Sequence, residues 1–136
     1  MATRSSSTQS LHDKVIAERE SAWRSDSRVN QIYTNPGQTK GANYTVDGRE
    51  VYPDLIVHLK DDKGERWIIE EVETADSVNE SELEQWRTFA QIEVAAFNLL
   101  VPQESAGRAR SLVQNLDMVA IRTYSATGTS ITFNEN

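Results

Sequence analysis

Residues 68–74 read IIEEVET, a short apolar run that holds three glutamates. Branched apolar residues at this density are typical of a buried β-strand, and we predict a strand over Arg66–Thr74. Side chains alternate between the two faces of a strand, so Glu71 and Glu73 share one face and Glu70 takes the other. A carboxylate inside an apolar strand needs a partner, which makes Glu71 informative, whereas we expect Glu70 to face solvent.

A second stretch lies one turn upstream: residues 51–59 read VYPDLIVHL, and the turn sequence DDKG follows at 61–64. The turn makes the two stretches antiparallel neighbours, so the start of the first strand lies beside the end of the second. The carboxylates of Asp54, Glu71 and Glu73 are therefore predicted to converge at one edge of the sheet. Such groups repel one another unless a cation or an arginine offsets their charge. Oxygen ligands of this kind suit Mg²⁺ or Mn²⁺ better than zinc.

The remaining patterns predict one α/β domain in the order helix, three-strand meander, helix, strand, helix and closing strands. Ser10 and Asp13 form a capping-box pattern at the start of the first helix, and Asp47-Gly48 is a two-residue hairpin turn. Residues 1–10 are polar, and we predict a flexible tail there before a single domain over 11–136. The predicted elements are helices over Leu11–Ser25, Asn79–Phe97 and Ala106–Leu116, and strands over Gln31–Thr34, Asn43–Val46, Val51–Leu59, Arg66–Thr74, Asn98–Val101, Val119–Tyr124 and Ser130–Phe133.

The composition is that of an ordinary globular chain of 136 residues, with 38% hydrophobic and 26% charged residues. The chain has no cysteine, which excludes disulfides, thiolate zinc sites, iron–sulfur clusters and a cysteine nucleophile. That absence is compatible with the cytoplasmic location that we predict. No apolar run approaches the ~20 residues needed to cross a bilayer, so we expect no membrane partner. The two histidines, His12 and His58, have no zinc-type spacing, and no Gly-rich phosphate loop is present.

The net charge of −7 comes from the middle of the chain, since residues 51–104 carry four basic and thirteen acidic groups. Residues 1–50 and residues 105–136 are each slightly basic. Concentrated carboxylate indicates a solvated helix face, a cation site, or both. The total charge argues against an extended nucleic-acid surface, because phosphate contacts require lysine and arginine.

The arrangement of Asp54 after a proline, a hairpin, and then Glu71 and Glu73 resembles the PD-(D/E)XK nuclease superfamily, also called restriction-endonuclease-like. The resemblance spans residues 11–101 and implies an αβββαβ core, with a mixed central sheet flanked by helices. It also implies that Asp54, Glu71 and the backbone carbonyl of Val72 hold one or two divalent metals. The family usually has a water-orienting lysine where this chain has Glu73, although some restriction enzymes also carry glutamate there.

Accessory residues of the family have candidates on the two predicted helices. Members often carry a glutamate on the first helix, and Glu18 and Glu20 are present there; Glu20 is the accessory residue that we predict. His12 lies on the inward stripe of the same helix and is either a core histidine or a group that ligates metal or holds phosphate. Some exonuclease-like members add a Gln-x-x-x-Tyr motif, which Gln85 and Phe89 resemble with phenylalanine in place of tyrosine.

The resemblance implies a nuclease that depends on Mg²⁺ or Mn²⁺ and cleaves nucleic acid, with DNA as the expected substrate. The predicted catalytic residues are Asp54, Glu71 and Glu73. The weakly basic surface predicts that a second protomer or another protein helps to bind DNA. The alternative is a non-catalytic member of the same fold that acts as a protein-interaction or nucleic-acid-binding module, which the missing lysine and the net charge favour.

Overall fold

The computed structural model describes residues 5–37, 41, 43–92 and 95–134. These residues form a mixed α/β structure in which helices pack on a six-stranded sheet of strand order β1-β4-β5-β6-β7-β8, with β2 and β3 in a separate two-stranded sheet. The elements are α1 (Ser6–Arg24), β1 (Val29–Thr34), β2 (Tyr44–Val46), β3 (Arg49–Val51), β4 (Leu55–Asp61), β5 (Gly64–Val72), α2 (Leu83–Ala90), β6 (Ala95–Pro102), α3 (Ala106–Leu112), β7 (Val119–Thr127) and β8 (Ser130–Asn134).

The sheet is antiparallel on one side and parallel in its middle. β4 pairs antiparallel with both β1 and β5, so these three strands form the meander. The predicted meander, with Asn43–Val46 as its first strand, is wrong in that strand, because β2 pairs with β3 in the separate sheet. β6 then pairs parallel with β5 and with β7, and the connections carry α2 and α3. β8 returns antiparallel to β7 across the turn at Gly128, whose φ of 60° suits glycine. The predicted α/β class and mixed sheet are confirmed.

Two apolar cores lie on opposite faces of the sheet. On β6, Leu99 belongs to the core under α2 and α3, whereas the next residue, Leu100, belongs to the core under α1. This alternation is the consequence of the strand period of two. On β5 the same rule places Ile69 against α2 and Val72 against α1. No helix within the described part of the chain is long and apolar enough to cross a membrane.

The first helix begins earlier than predicted. Ser5 is its N-cap and accepts a hydrogen bond from the Thr8 amide, so residues 6–10 are helical rather than a tail. The capping box of Ser10 and Asp13 is wrong: the Ser10 hydroxyl donates to the Ser6 carbonyl within the helix. A serine five residues earlier could cap equally well, and the sequence pattern did not distinguish them. The rest of the predicted tail, residues 1–4, lies outside the described residues.

The predicted strand Val51–Leu59 is two strands. β3 ends at Val51 and pairs with β2 across the turn at Asp47, whereas β4 begins at Leu55. The break falls at Pro53, which has no N–H to give to a strand ladder. The hairpin of β2 and β3 is thus an insertion between β1 and β4, and it delivers the chain directly to Asp54.

The predicted long helix Asn79–Phe97 is also wrong. A 3₁₀ turn over Glu80–Glu82 precedes α2, which ends at Ala90. Phe97 lies on β6 instead and packs against Phe89, with ring centroids 5.7 Å apart. Phe97 happens to fall at helical spacing from Phe89, but a buried strand also reads as a continuous apolar run, and the period alone does not separate the two. Residues 93–94 of the predicted helix lie outside the described residues.

Candidate functional site

Asp54 and Glu71, two of the acidic residues singled out from the sequence, meet where β4 begins and β5 ends. Leu55 pairs with Glu70 across the antiparallel ladder, which brings Asp54 opposite Glu71. The Asp54 N–H donates to Glu71 Oε1 at 3.0 Å. The hairpin geometry alone therefore brings the side chain of Glu71 to the main chain of Asp54, and both residues are buried.

The Asp54 carboxylate is held by contacts from two different elements. Its Oδ2 accepts the Val72 N–H at 2.8 Å and lies 3.1 Å from His12 Nε2 on α1. The first contact ties Asp54 to the end of β5, and the second ties it to the helix. A carboxylate fixed by contacts from two elements has a defined direction, as a ligand or a catalytic group needs.

His12 lies between two carboxylates. Its Nε2 faces Asp54, and its Nδ1 is 3.1 Å from Asp13 Oδ1. Asp13 Oδ1 also accepts hydrogen bonds from the Gly37 N–H and from Gln9, each at 2.9 Å. Burial works to raise the pKa of Asp13, but these hydrogen bonds outweigh it and leave the pKa below the usual value. His12 is thus a buried histidine with partners on both ring nitrogens.

Glu71 has a pKa well above that of an exposed glutamate. Burial is the main cause, because desolvation disfavours the charged form. The charges of Asp54 and Glu73 raise it further. A buried carboxylate whose neighbours are also carboxylates is stabilised by protonation or by a bound cation.

Glu73 is fully buried and is held at both oxygens. The Ser77 hydroxyl donates to Oε1 at 2.6 Å, and the Trp86 indole N–H donates to Oε2 at 2.7 Å. Burial raises the pKa of Glu73 to about 7, although the hydrogen bonds from Ser77 and Trp86 act in the opposite direction. The charges of Asp54 and Glu82 add to the increase. At neutral pH, Glu73 is therefore near the midpoint of its titration.

The expectation that Glu70 faces solvent is wrong, although its predicted placement on the face opposite Glu71 and Glu73 is right. Its Oε1 and Oε2 accept from Arg19 at 2.9 and 2.8 Å in a two-pronged ion pair. The Trp23 indole N–H and the Asn98 amide complete the set at 2.9 Å each. The group is buried beneath α1, so Glu70 anchors this helix rather than joining the acidic site.

The predicted accessory residues lie in different surroundings. Glu20 forms an ion pair with Arg24 at 2.6 Å on the surface of α1, so the structure does not bring it to the site. Glu18 is exposed. Gln85 is half-buried on α2, beside Trp86, and its Oε1 is buried without a hydrogen-bond partner among the described residues. His12 alone of the predicted accessory residues contacts Asp54.

Sequence reasoning missed the polar partners of the site. Ser77 follows no family motif, and the Asp13 side chain was interpreted as a helix cap. The spacing of Trp86 indicates a core position but does not reveal that its indole N–H bonds to Glu73. A usable signal was the presence of four carboxylates in or beside the two predicted buried strands, since each buried carboxylate requires hydrogen-bond donors. They are those of Asp54, Glu70, Glu71 and Glu73.

The donor set fits a divalent cation in part. Asp54 and Glu71 offer oxygen atoms, the ligand type that Mg²⁺ and Mn²⁺ prefer, and their mutual repulsion is what a cation would relieve. Within the described residues, however, no group of three or more His, Asp or Glu side chains is arranged so that it could hold a metal ion. Both oxygens of Glu73 already accept hydrogen bonds. Asp54 and Glu71 thus offer two carboxylates that a cation could use, whereas the carboxylate of Glu73 is engaged by Ser77 and Trp86.

Comparisons with protein-family models, with curated proteins and with solved structures gave no match for this chain.

Proposed function

We propose that this chain is a divalent-metal-dependent nuclease of the PD-(D/E)XK type. The observation that carries the proposal is the hydrogen bond from the Asp54 N–H to the Glu71 carboxylate, between two buried residues. Glu73 lies on the same face of β5 as Glu71. The element order supports it: α1, then β1, β4 and β5 as an antiparallel meander, then α2 and β6. That order is the αβββαβ order of the family, here with the hairpin of β2 and β3 inserted.

In the proposed site, Asp54 and Glu71 would hold Mg²⁺ or Mn²⁺, together with the backbone carbonyl of Val72. The cation would supply Lewis-acid polarisation of the phosphodiester. Val72 and His12 fix the direction of the Asp54 carboxylate. Burial raises the pKa of Glu73 to about 7 in the metal-free protein, so this group can take up or release a proton near neutral pH. In the place where the family has lysine, Glu73 would orient the attacking water, which requires that one of its oxygens exchange its bond to Ser77 or Trp86 for a bond to water.

The alternative, a non-catalytic module of the same fold, also has a specific observation in its favour. Asp54, Glu71 and Glu73 are 7%, 4% and 0% exposed, so a phosphate cannot reach all of them without a change in the surrounding chain. The bonds from Ser77 and Trp86 would give Glu73 a purely structural role. In either case the net charge of −7 favours help from a second protomer or another protein in binding nucleic acid.

The direct test is cleavage. With Mn²⁺ or Mg²⁺ at low salt, the purified protein is expected to cut at least one of single-stranded DNA, duplex DNA, branched DNA and RNA. Asp54→Ala and Glu71→Ala should abolish cleavage. Asp62→Ala, in the exposed turn that follows β4, is the matched control and should cut like the wild type. If no substrate is cut by folded protein at low salt, the non-catalytic module is the better reading.

Metal binding can be tested without a substrate. A cation that binds the folded site should stabilise the wild type by RT ln(1 + [L]/Kd), or about 2.7 kcal/mol at a hundredfold excess over Kd. Asp54→Asn removes a ligand charge at nearly constant shape, so it should lose this stabilisation. Without metal, the same variant should melt at an equal or higher temperature, because carboxylate repulsion is relieved.

Thermal melts with and without Mn²⁺, in the wild type, Asp54→Asn and Asp62→Asn, separate a built site from a general acidic face. A solvated face would bind metal weakly, and no single substitution would remove the response. Equal metal responses in the wild type and Asp54→Asn would contradict the proposed ligand role of Asp54.

A further inference from the structure

Asn35 directs its polar groups at the main chain that carries Asp54. It follows β1 directly and is only 4% exposed. Its side-chain Nδ2–H donates to the Pro53 carbonyl at 2.8 Å, and its backbone N–H donates to the Asp54 carbonyl at 2.9 Å. Its Oδ1 accepts the Gly41 N–H at 2.8 Å. One buried asparagine thus spans the two peptide groups on either side of the Asp54 Cα.

The peptide group between Pro53 and Asp54 is held at both ends. Its carbonyl accepts from Asn35, and its N–H donates to Glu71 Oε1 at 3.0 Å. Hydrogen bonds in such a chain polarise one another, so the bond from Asn35 strengthens the donor that faces Glu71. Asn35 therefore acts on the contact between Asp54 and Glu71 without touching either carboxylate.

The chain needs such a contact at this point. Pro53 has no N–H, and the ladder between β1 and β4 begins only at the pair Thr34 and Leu55. Asp54 thus precedes the strand: its carbonyl accepts the Asn35 N–H, as in a continued ladder, and the preceding carbonyl, of Pro53, is bonded by the Asn35 side chain instead. The direction of its Cα–Cβ bond depends on the two neighbouring peptide planes, and Asn35 bonds to the carbonyl of each.

We propose that Asn35 is a positioning residue that fixes the main chain on both sides of Asp54, so that the Asp54 carboxylate meets the Val72 N–H and stands beside Glu71. Its contribution to metal affinity rests on the proposed function, whereas its effect on the Asp54 segment does not. A residue that only stabilised the loop would lower overall stability without changing this segment selectively.

The test uses two variants of Asn35 and one matched control. Asn35→Asp keeps the size of the side chain and the acceptor for Gly41 but cannot donate to the Pro53 carbonyl. Asn35→Ala removes both side-chain bonds, the one to the Pro53 carbonyl and the one from the Gly41 N–H. Asn98→Ala is the control, because Asn98 is a buried asparagine that donates to Glu70 on the other face of the sheet. Amide hydrogen exchange in the metal-free protein and calorimetric titration with Mn²⁺ are the two measurements.

Both Asn35 variants should speed exchange of the Val72 and Asp54 amides by tenfold or more relative to other slow amides. If the wild type binds Mn²⁺, they should weaken it about 10- to 100-fold, the range measured when a group supporting a ligand is removed. Asn98→Ala should show neither change. A wild type that binds no Mn²⁺ would count against the proposed function, while the exchange result would still decide the role of Asn35. Unselective exchange in both variants, or unfolding of both, would overturn the proposal.

Discussion

Replacing Arg19 with methionine should destabilise the protein by about 3–5 kcal/mol, the usual result of removing one partner of a buried ion pair. Arg19 and Glu70 are both buried, and two nitrogens of the guanidinium contact the two carboxylate oxygens. Without Arg19, the charge of Glu70 would keep only the N–H groups of Trp23 and Asn98 among its observed partners. Chemical denaturation of the variant and the wild type at neutral pH measures the difference.

The same helix offers a control. Arg24 pairs with Glu20, but their side chains are 58% and 30% exposed, so Arg24→Met should cost no more than about 0.5 kcal/mol. Adding Glu70→Gln to Arg19→Met should recover a large part of the stability, since no buried charge would then lack a counter-ion. A loss below 1 kcal/mol in Arg19→Met would mean that solvent reaches Glu70 despite its burial.

This ion pair matters for the candidate site because α1 contacts β5 at two polar points. Arg19 bonds to Glu70, and His12 bonds to the Asp54 carboxylate that also accepts the Val72 N–H. Glu70 and Glu71 are adjacent in sequence but lie on opposite faces of the strand. Both contacts come from α1, so they hold the end of β5 from the same side of the sheet, directly at Glu70 and, through Asp54, at Val72. Loss of the ion pair should loosen His12 as well as the helix.

The period of two in residues 68–74 was enough to predict which glutamates share a face. The structure has Glu73 against Trp86 of α2 and Glu70 against Arg19 of α1, on opposite sides of the sheet. The burial of Glu70 could not be predicted in the same way. Its partner is 51 residues away in sequence, and no local pattern reports an ion pair between distant elements.

The two helix boundaries that were predicted wrongly have a common physical cause. Ser10 was a plausible helix cap and Phe97 a plausible helical residue, because short patterns allow several registers and tertiary packing selects one. Likewise, nothing local marks Asn35 as a residue that bonds to the chain around Asp54, since its partners lie 18 and 19 positions away. Residue type and spacing predicted which carboxylates belong to the candidate site. The groups that donate hydrogen bonds to them lie in other segments, which only the fold brings close.

Glu73 should make the metal-free protein lose stability as the pH rises from about 4.5 to about 7. Its pKa is about 7 in the folded state against 4.5 for the ordinary group, so the folded state holds a proton that the unfolded state has released in this interval. Stability falls with pH wherever the folded state binds more protons. A shift of this size corresponds to a loss of roughly 3 kcal/mol in the free energy of unfolding, and the loss is complete above pH 7.

Glu73→Gln should remove this loss and flatten the pH profile of unfolding free energy, measured with a chelator present. Glutamine can accept from Trp86 with its oxygen and donate to Ser77 with its nitrogen, because the serine hydroxyl can rotate. The variant should therefore be more stable than the wild type at pH 8 and no more stable at pH 4.5.

Glu71 adds to the effect, since the charge of Glu73 is one cause of the raised pKa of Glu71 and disappears in the variant. Glu80→Gln, at an exposed position on the turn before α2, should leave the profile unchanged. Parallel profiles for the wild type and Glu73→Gln would mean that folding leaves the pKa of Glu73 unchanged, and Ser77 and Trp86 would then be sufficient to offset the burial of its charge.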